Sequence, residues 1–288
     1  MTDLEESRAR ARNAVEGGTG PYAGPVIRRW GTLALCAAAL MPVTAGCVPQ
    51  EPGPADGFAL RYEKPAAADR AAYRFLRNRA VADFVLADLN GYLVLPYGVT
   101  VVARSCSGEG TGYAPSEHRI ELCYEDLAEE RALFEQSGSH TSDEQLAEVV
   151  RETLHHEAGH ALVDALDLPD EGARAEEDAA DDFARLMLLR GHPEGEETLL
   201  TAARAYDLAA AADPAPDPEV PMDLEGLEVA EDEHAPPAAR AEAHRCAVHA
   251  AAPTRHPSLA TPSRATCAAT WTKTREAWLK DLEPLLRA

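Results

Sequence analysis

Basic side chains, and lysines in particular, are scarce in this sequence. Its 288 residues include 49 aspartates and glutamates but only 27 arginines and lysines, three of which are lysines, and the formal net charge is −22. Nucleic acids and anionic membrane surfaces are bound through clusters of positive charge. The composition therefore argues against a nucleic-acid partner and against a polybasic contact with a membrane.

The N-terminal region lacks an apolar run long enough to cross a bilayer, but it contains a shorter one. Two adjacent arginines precede an apolar segment at 30–43, whereas a membrane-spanning helix needs about 20 apolar residues. A positive charge followed by a short apolar segment is typical of an export signal. The segment ends in Thr44-Ala45-Gly46-Cys47, which is similar to the lipobox of bacterial lipoproteins. We therefore predict a signal peptide at 1–47 and lipidation of Cys47.

Two alternatives for this region remain open. Ordinary signal peptidase cleaving nearby would give a secreted protein, and an uncleaved segment would act as a single anchor. Residues 1–25 are polar and partly acidic, which is unusual for a signal, so the true start is expected near Val26. Prolines and glycines at 48–69 predict a flexible tether. The expected product is a lipoprotein anchored in a membrane by its N-terminal lipid and facing the periplasm or the cell exterior.

A C-x-x-C pair, which would indicate a zinc site built from four cysteines, is absent. Once the predicted signal and Cys47 are set aside, four cysteines remain, and an even number in an exported chain indicates disulfides. Three connectivities are possible, and all four thiols could also be reduced and buried. We predict the two pairs that are closest in sequence, namely Cys106–Cys123 and Cys246–Cys267.

The order of apolar patterns predicts an α+β fold that is predominantly helical, in a single domain at 70–288. Helices are expected at 70–89, 127–136, 142–166, 173–190, 197–212, 238–250 and 264–286. Strands are expected at 92–95, 99–102 and 118–124, with a glycine-containing loop at 106–115. Prolines and nine acidic residues between 213 and 233 predict a flexible acidic linker at 213–236.

The helix predicted at 142–166 contains a His-Glu-x-x-His pattern at His156, Glu157 and His160. Residues four apart on a helix share a face, so both imidazoles would point at one metal ion. Glu157 would flank that ion and act as the general base for a water molecule. The alternative is an amphipathic helix with two surface histidines.

The next predicted helix offers the third ligand that a catalytic zinc site requires. A short turn would bring Glu177 back roughly level with His160, and Asp181 follows one turn later on the same face. Glu177 is then the expected ligand, with Glu176 as the fallback, and Asp181 would accept the free ring N–H of a ligand histidine. Alternatively, these acids are solvated residues favoured by the helix dipole.

These motifs carry a resemblance to known families. His156-Glu-x-x-His160 followed by Glu177-x-x-x-Asp181 is similar to the gluzincin metallopeptidases, in which a glutamate is the third zinc ligand. From about residue 70 to the C-terminus, the chain more closely resembles a bacterial family described only as "putative metallopeptidases". The stretches that carry this resemblance are 122–125, 156–168, 176–181 and 232–234.

The resemblance implies a zincin-like pair of active-site helices, one Zn²⁺ per chain and a peptide or protein substrate. His156, His160 and Glu177 are the implied ligands, and Glu157 is the implied base. A second group is expected to stabilise the oxyanion, and His234 and Tyr124 are the candidates. Their ordinary interpretations are a solvated loop histidine and an aromatic on a strand face. The Ala-Pro-Pro that follows His234 departs from the family, which puts a role for His234 in doubt.

The leading hypothesis is therefore a membrane-tethered zinc metallopeptidase that acts outside the cytoplasm. A structural metal-binding lipoprotein and a zinc amidohydrolase for small molecules are the alternatives. Retention of Glu157 favours the two enzymes, since a structural site has no use for a base. The resemblance also implies that the strand at 99–105 binds an extended peptide by edge pairing, as the similar enzymes do.

Overall fold

The structure is a computed structural model that describes residues 56–138, 142–169, 171–190, 193–212 and 234–287. The predicted signal at 1–47, its Cys47 and most of the acidic linker lie outside these residues. From residue 50 onward the chain forms one compact unit. Within the described part, no helix has both the length and the apolarity of a membrane span.

The predicted α+β fold with a predominance of helix is confirmed. The described residues form eight α-helices: α1 Arg70–Arg79, α2 Val81–Tyr92, α3 Tyr124–Gln136, α4 Asp143–Ala165, α5 Ala173–Leu188, α6 Pro193–Ala212, α7 Pro237–Ala251 and α8 Cys267–Asp281. They also form one sheet with strands β1 Phe58–Tyr62, β2 Val99–Arg104, β3 Gly112–Ala114 and β4 Arg119–Cys123. One hydrophobic core joins the sheet to α1, α2, α3, α4, α5 and α8.

The strand order is β1-β2-β4-β3. Strands β1 and β4 both pair with β2 in parallel, and β3 pairs antiparallel with β4. The prediction that 99–105 offers a free edge is therefore wrong, because β2 is paired on both sides. The edges are β1 and β3, and β3 lies inside the segment that was predicted to be a loop.

Strand β1 also corrects the predicted tether, which is wrong for 58–62. Phe58 is buried, and its backbone N–H and C=O both bond to the side chain of Asn90, at 2.7 and 2.8 Å. The prolines and glycines that favoured a tether flank this segment but do not enter it. Phe58, Leu60 and Tyr62 alternate with the smaller Ala59 and the charged Arg61, which is the pattern of a half-buried strand.

The helix predicted at 70–89 is two helices, and the strand predicted at 92–95 does not form. Ala80 adopts a left-handed conformation, with φ of 51°, and separates α1 from α2. The apolar spacing of three and four continues across this break, so the sequence pattern does not reveal it. Helix α2 ends only at Tyr92, and Leu93 makes a single bridge to Leu286.

Helices α4 and α5 pack in close backbone contact. The predicted N-cap Ser142 begins α4, and its side chain accepts a hydrogen bond from Gln145 while the Gln145 side chain bonds back to Ser142. At the contact, a Cβ added to Gly159 would lie 2.7 Å from the Cα of Ala180. Since Glu177 and Asp181 flank Ala180 on α5, this approach brings both acids to the histidine face of α4.

Both predicted disulfides are present. Cys106–Cys123 joins the loop after β2 to the last residue of β4, across a sequence separation of 17. Cys246–Cys267 joins α7 to the first residue of α8, across a separation of 21. The first bridge constrains the loop that leads from β2 to β3. The second constrains the position of α7 relative to α8.

Candidate metal centre

Two imidazoles on successive turns of α4 point their Nε2 atoms at each other. The Nε2 atoms of His156 and His160 lie 3.2 Å apart. Oε2 of Glu177 on α5 lies 3.1 Å from the first and 3.4 Å from the second. We refer to His156, His160 and Glu177 as the ligand cluster. The structure thus brings together the three residues that the sequence indicated as metal ligands.

Carboxylates fix the tautomers of both histidines. Nδ1 of His156 donates to Oδ1 of Asp181 at 2.9 Å, and Nδ1 of His160 donates to Oε1 of Glu176 at 2.9 Å. An ionised carboxylate can only accept, so each Nδ1 carries a proton and each Nε2, once it is deprotonated, can present its lone pair to a metal ion. Glu176, the fallback ligand, therefore lies on the far side of the His160 ring from the ligand cluster.

The ligand cluster suits a cation. Oε2 of Glu177 is buried, and its nearest polar neighbours on α4 are the imidazole Nε2 atoms of His156 and His160, at 3.1 and 3.4 Å. Two nitrogen lone pairs and an anionic oxygen at such distances repel one another unless positive charge lies between them. Two histidines and a carboxylate are a common ligand set of catalytic zinc, so the residues present fit this metal.

Electrostatics point to the same need for positive charge. Burial opposes ionisation of Glu177, but hydrogen bonds from His156, His160 and His234 outweigh it and hold its pKa well below the usual range. Burial lowers the pKa of His156, yet its bonds to Asp181 and Glu177 raise that pKa to about 10. Protons supply this charge when no metal is bound, and a metal ion would displace them.

His234 also reaches the ligand cluster. Its Nε2 lies 2.9 Å from Oε2 of Glu177, and its ring stacks on that of His156 with centroids 5.8 Å apart. Ligand-type atoms of His156, Glu177 and His234 all lie within 4.8 Å of one another. With a side chain 42% exposed, His234 occupies the solvent side of the cluster. The structure thus places this residue within reach of either a ligand role or an oxyanion role.

Tyr124 does not take part, and its proposed oxyanion role is wrong. Its side chain is completely buried, and its hydroxyl group bonds to the carbonyl oxygens of Ala103 and Glu63, at 2.7 and 3.0 Å. The ring packs edge-on against Tyr73. Tyr124 thus ties the end of β4 to β2, and it lines neither of the cavities beside the ligand cluster.

Glu157 lies beside the ligand cluster with an unsatisfied carboxylate. The residue is 6% exposed, and its Oε2 is buried without a hydrogen-bond partner in the described part of the chain. Burial raises its pKa above the usual value, although the neighbouring His156 and His160 act in the opposite direction. A carboxylate with a raised pKa and a free oxygen is suited to accept a proton from water.

The sequence did not predict the network of buried charged side chains that contacts the Nδ1 side of His156 through Asp181. Arg240 on α7 donates to both oxygens of Asp181, at 2.6 and 3.1 Å, and Arg185 donates to Oδ2 at 3.1 Å. Burial opposes ionisation of Asp181, but His156 and the two arginines hold its pKa well below the usual value. His244, also on α7, bridges Arg185 to Glu152, which precedes His156 by one turn. These pairs fix the orientation of the His156 ring.

Two cavities flank the ligand cluster. One, of about 230 Å³, is lined by Thr111, Gly112 and Tyr113 of the β3 region together with residues of the cluster. The other, of about 290 Å³, lies between α3, α4, α6 and α7. His156, Glu157 and His234 line both cavities, so the cluster separates two spaces into which a substrate can extend.

Comparisons with known proteins agree with this arrangement. No curated protein and no solved structure matches the sequence. The profile of the family described as "Putative metallopeptidase" matches residues 62–282, which is more than half of the chain. The match includes α4, α5 and α7, which carry the ligand cluster, Glu157 and the buried network. The chain therefore belongs to this metallopeptidase family.

Proposed function

We propose that this protein is a zinc-dependent peptidase that hydrolyses peptide bonds outside the cytoplasm. The observation that carries the proposal is the convergence of two imidazole Nε2 atoms and one carboxylate oxygen beside the buried, unpartnered Glu157. Family membership supports peptidase chemistry. Zinc, when bound, would act as a Lewis acid that activates water and polarises the scissile carbonyl group.

The residues around the ligand cluster have separate roles in this reaction. Glu157 accepts the proton of the attacking water at its free oxygen and then delivers it to the leaving amine nitrogen. Asp181 and Glu176 hold the His156 and His160 rings in the ligating tautomer. Nε2 of His234 is in position to donate to the oxyanion when its proton is on that nitrogen.

Strand β3 favours a peptide over a small amide as the substrate. It pairs with β4 on one side only, and Gly112 and Tyr113 line the same cavity as His156 and Glu157. An extended peptide can add to such an edge through its main-chain hydrogen bonds, which places one of its carbonyl groups beside the ligand cluster. A hydrolase for small amides, the second candidate, has no use for this edge.

Export belongs to the proposal as well. The apolar segment at 30–43 and the small residues before Cys47 support a signal peptide and a lipid anchor. The two disulfides support a non-reducing compartment, since disulfides are rare in the cytosol. Fractionation of cells that express wild-type protein or Cys47→Ser tests the anchor. Wild-type protein is expected with the membranes and the variant in the soluble fraction, and equal membrane association of both would contradict lipidation.

A peptide-library digest read by mass spectrometry tests the reaction. The zinc-loaded full chain is expected to cleave peptides, and a chelator or Glu157→Gln is expected to abolish cleavage while the variant still binds zinc. Glu144→Gln is the matched control, because Glu144 lies on the same helix but is exposed and pairs with Arg79. Cleavage that survives both the chelator and Glu157→Gln would contradict the proposed function.

A further inference from the structure

Beside Glu157 lies the cavity of about 290 Å³ between α3, α4, α6 and α7. This volume is just below the range for ligand pockets, about 300–1,000 Å³, and suits one long side chain more than a whole small molecule. Five carboxyl groups line it: Asp126, Glu129 and Glu130 from α3, and Glu152 and Glu157 from α4. We call this space the acidic cavity.

The acids outnumber the arginine and lysine side chains of the lining. Arg240 is the one arginine or lysine among the lining residues in the described part of the chain, and both oxygens of Asp181 already engage its guanidinium group. Glu152 is satisfied by His244, and Asp126 accepts the backbone N–H of Thr111. Glu129 is exposed to solvent, whereas Glu130 and Glu157 each keep a buried carboxylate oxygen that has no hydrogen-bond partner within the described residues.

Two unpartnered oxygens point to a ligand that donates hydrogen bonds. Oε2 of Glu130 and Oε2 of Glu157 are both buried without a partner within the described residues. Glu157 is also more than nine-tenths buried, with 6% of its surface exposed. A buried carboxylate oxygen without a partner costs free energy, and a cationic donor entering the cavity removes that cost.

Part of the lining is apolar. Leu122, Leu127, Leu133 and Leu146 line the cavity alongside the acids. Lysine and arginine side chains combine an aliphatic stem with a cationic end, so they match a pocket that is part apolar and part acidic. A neutral aliphatic side chain would fill the apolar part but leave the carboxylates unpaired.

We propose that the acidic cavity binds a lysine or arginine side chain of the substrate next to the scissile bond, with Glu130 as its principal partner. The assignment rests on the proposed peptidase function, because it places this side chain beside the ligand cluster. Burial, together with repulsion from Glu152, Asp126 and Glu129, raises the pKa of Glu130 to about 7. A cationic side chain would displace the proton that this carboxyl group otherwise retains.

The experiment compares two matched peptides that differ only in lysine against norleucine at one position flanking the cleavage site. Binding of both peptides to the zinc-loaded Glu157→Gln chain is measured by calorimetry at pH 8, with and without Glu130→Gln. We expect the lysine peptide to bind about tenfold more tightly, and Glu130→Gln to remove most of this preference. Glu135→Gln is the control, since Glu135 is an exposed acid on the same helix outside the cavity.

Two outcomes would overturn the assignment. One is equal binding of the lysine and norleucine peptides. The other is a lysine preference that persists unchanged in Glu130→Gln. Cleavage of the same peptides by the wild-type chain is read separately. A lysine preference in binding without any cleavage would support the cavity and contradict the proposed function, whereas cleavage without a preference would do the reverse.

Discussion

The Nε2 atoms of His156 and His160 face each other at 3.2 Å, while a carboxylate holds the opposite nitrogen of each ring. As a result, the neighbouring Glu176 and Glu177 of α5 contact different nitrogens of the two imidazole rings. Glu177 touches the Nε2 side of both rings, whereas Glu176 touches only Nδ1 of His160. The two neighbouring glutamates should therefore differ sharply in their effect on metal binding.

Glu177→Gln is expected to weaken zinc binding by more than about 100-fold, because it replaces an anionic ligand. Glu176→Gln removes only an orienting contact on a half-exposed side chain, so we expect a loss of about tenfold or less. Zinc affinities from competition with a chelating dye decide between them. A larger loss in Glu176→Gln than in Glu177→Gln would reverse the assignment of the ligand.

Asp181→Asn is expected to weaken zinc binding by about 10- to 100-fold, because the amide removes the charge that orients His156. It should also destabilise the fold by roughly 3 kcal/mol, since Arg185 and Arg240 would lose their buried partner. Asp178→Asn on the same helix is the control, because Asp178 forms an exposed pair with Arg174. Zinc affinity and chemical unfolding are the measurements, and equal effects of the two variants would contradict this role for Asp181.

Gly159→Ala is expected to separate α4 from α5 and to destabilise the fold by about 1–3 kcal/mol, because the added methyl group would meet the Ala180 backbone. Zinc affinity should fall with it, since Glu177 lies next to this contact. Gly91→Ala is the control, as a Cβ there meets no atom within 4 Å. Chemical unfolding and zinc titration of both variants measure these two effects. A Gly159→Ala protein with unchanged stability and zinc affinity would show that α4 and α5 do not approach so closely.

Glu130→Gln is expected to stabilise the protein at pH 8 and to have little effect at pH 5. Burial, with repulsion from Glu152, Asp126 and Glu129, raises the pKa of Glu130 to about 7 in the folded chain, so the folded state binds more protons than the unfolded state between about pH 4.5 and 7. The wild-type protein therefore loses stability over this range as pH rises, and the variant avoids about 1–2 kcal/mol of that loss.

Denaturant unfolding at the two pH values measures this difference. Glu135→Gln is the control, because Glu135 is exposed. A stabilisation by Glu130→Gln that is equal at pH 5 and pH 8, or no stabilisation at either, would contradict the raised pKa of Glu130. The prediction concerns the fold alone and does not depend on any substrate.

The ligand cluster could be predicted from the sequence because its spacing is local. Helical periodicity places His156 and His160 on one face, and a short turn returns Glu177 to the same level. The two disulfides followed from proximity in sequence. The orienting acid Asp181 followed from its spacing of four from Glu177, which is again a property of a single helix.

The remaining features depend on tertiary packing, which the sequence pattern does not encode locally. Arg240 and His244 lie about 60 or more residues from Asp181 and Glu152, so nothing near those acids predicted their partners. The left-handed Ala80 leaves the apolar periodicity intact. The order of the strands, which pairs β2 on both sides, is set by crossovers and not by the composition of β2.

X-ray absorption at the zinc edge, on purified full chain whose zinc content has been measured, tests the central claim most directly, since it reports the ligand atoms of the bound zinc. We predict about one zinc per chain, bound by at least two imidazole nitrogens at about 2.0–2.1 Å and a carboxylate oxygen, with no sulfur at about 2.3 Å. Replacing His156 and His160 together by alanine should abolish this zinc binding. A wild-type chain that binds no zinc, or that binds it unchanged in the double variant, would contradict the assignment of the ligand cluster.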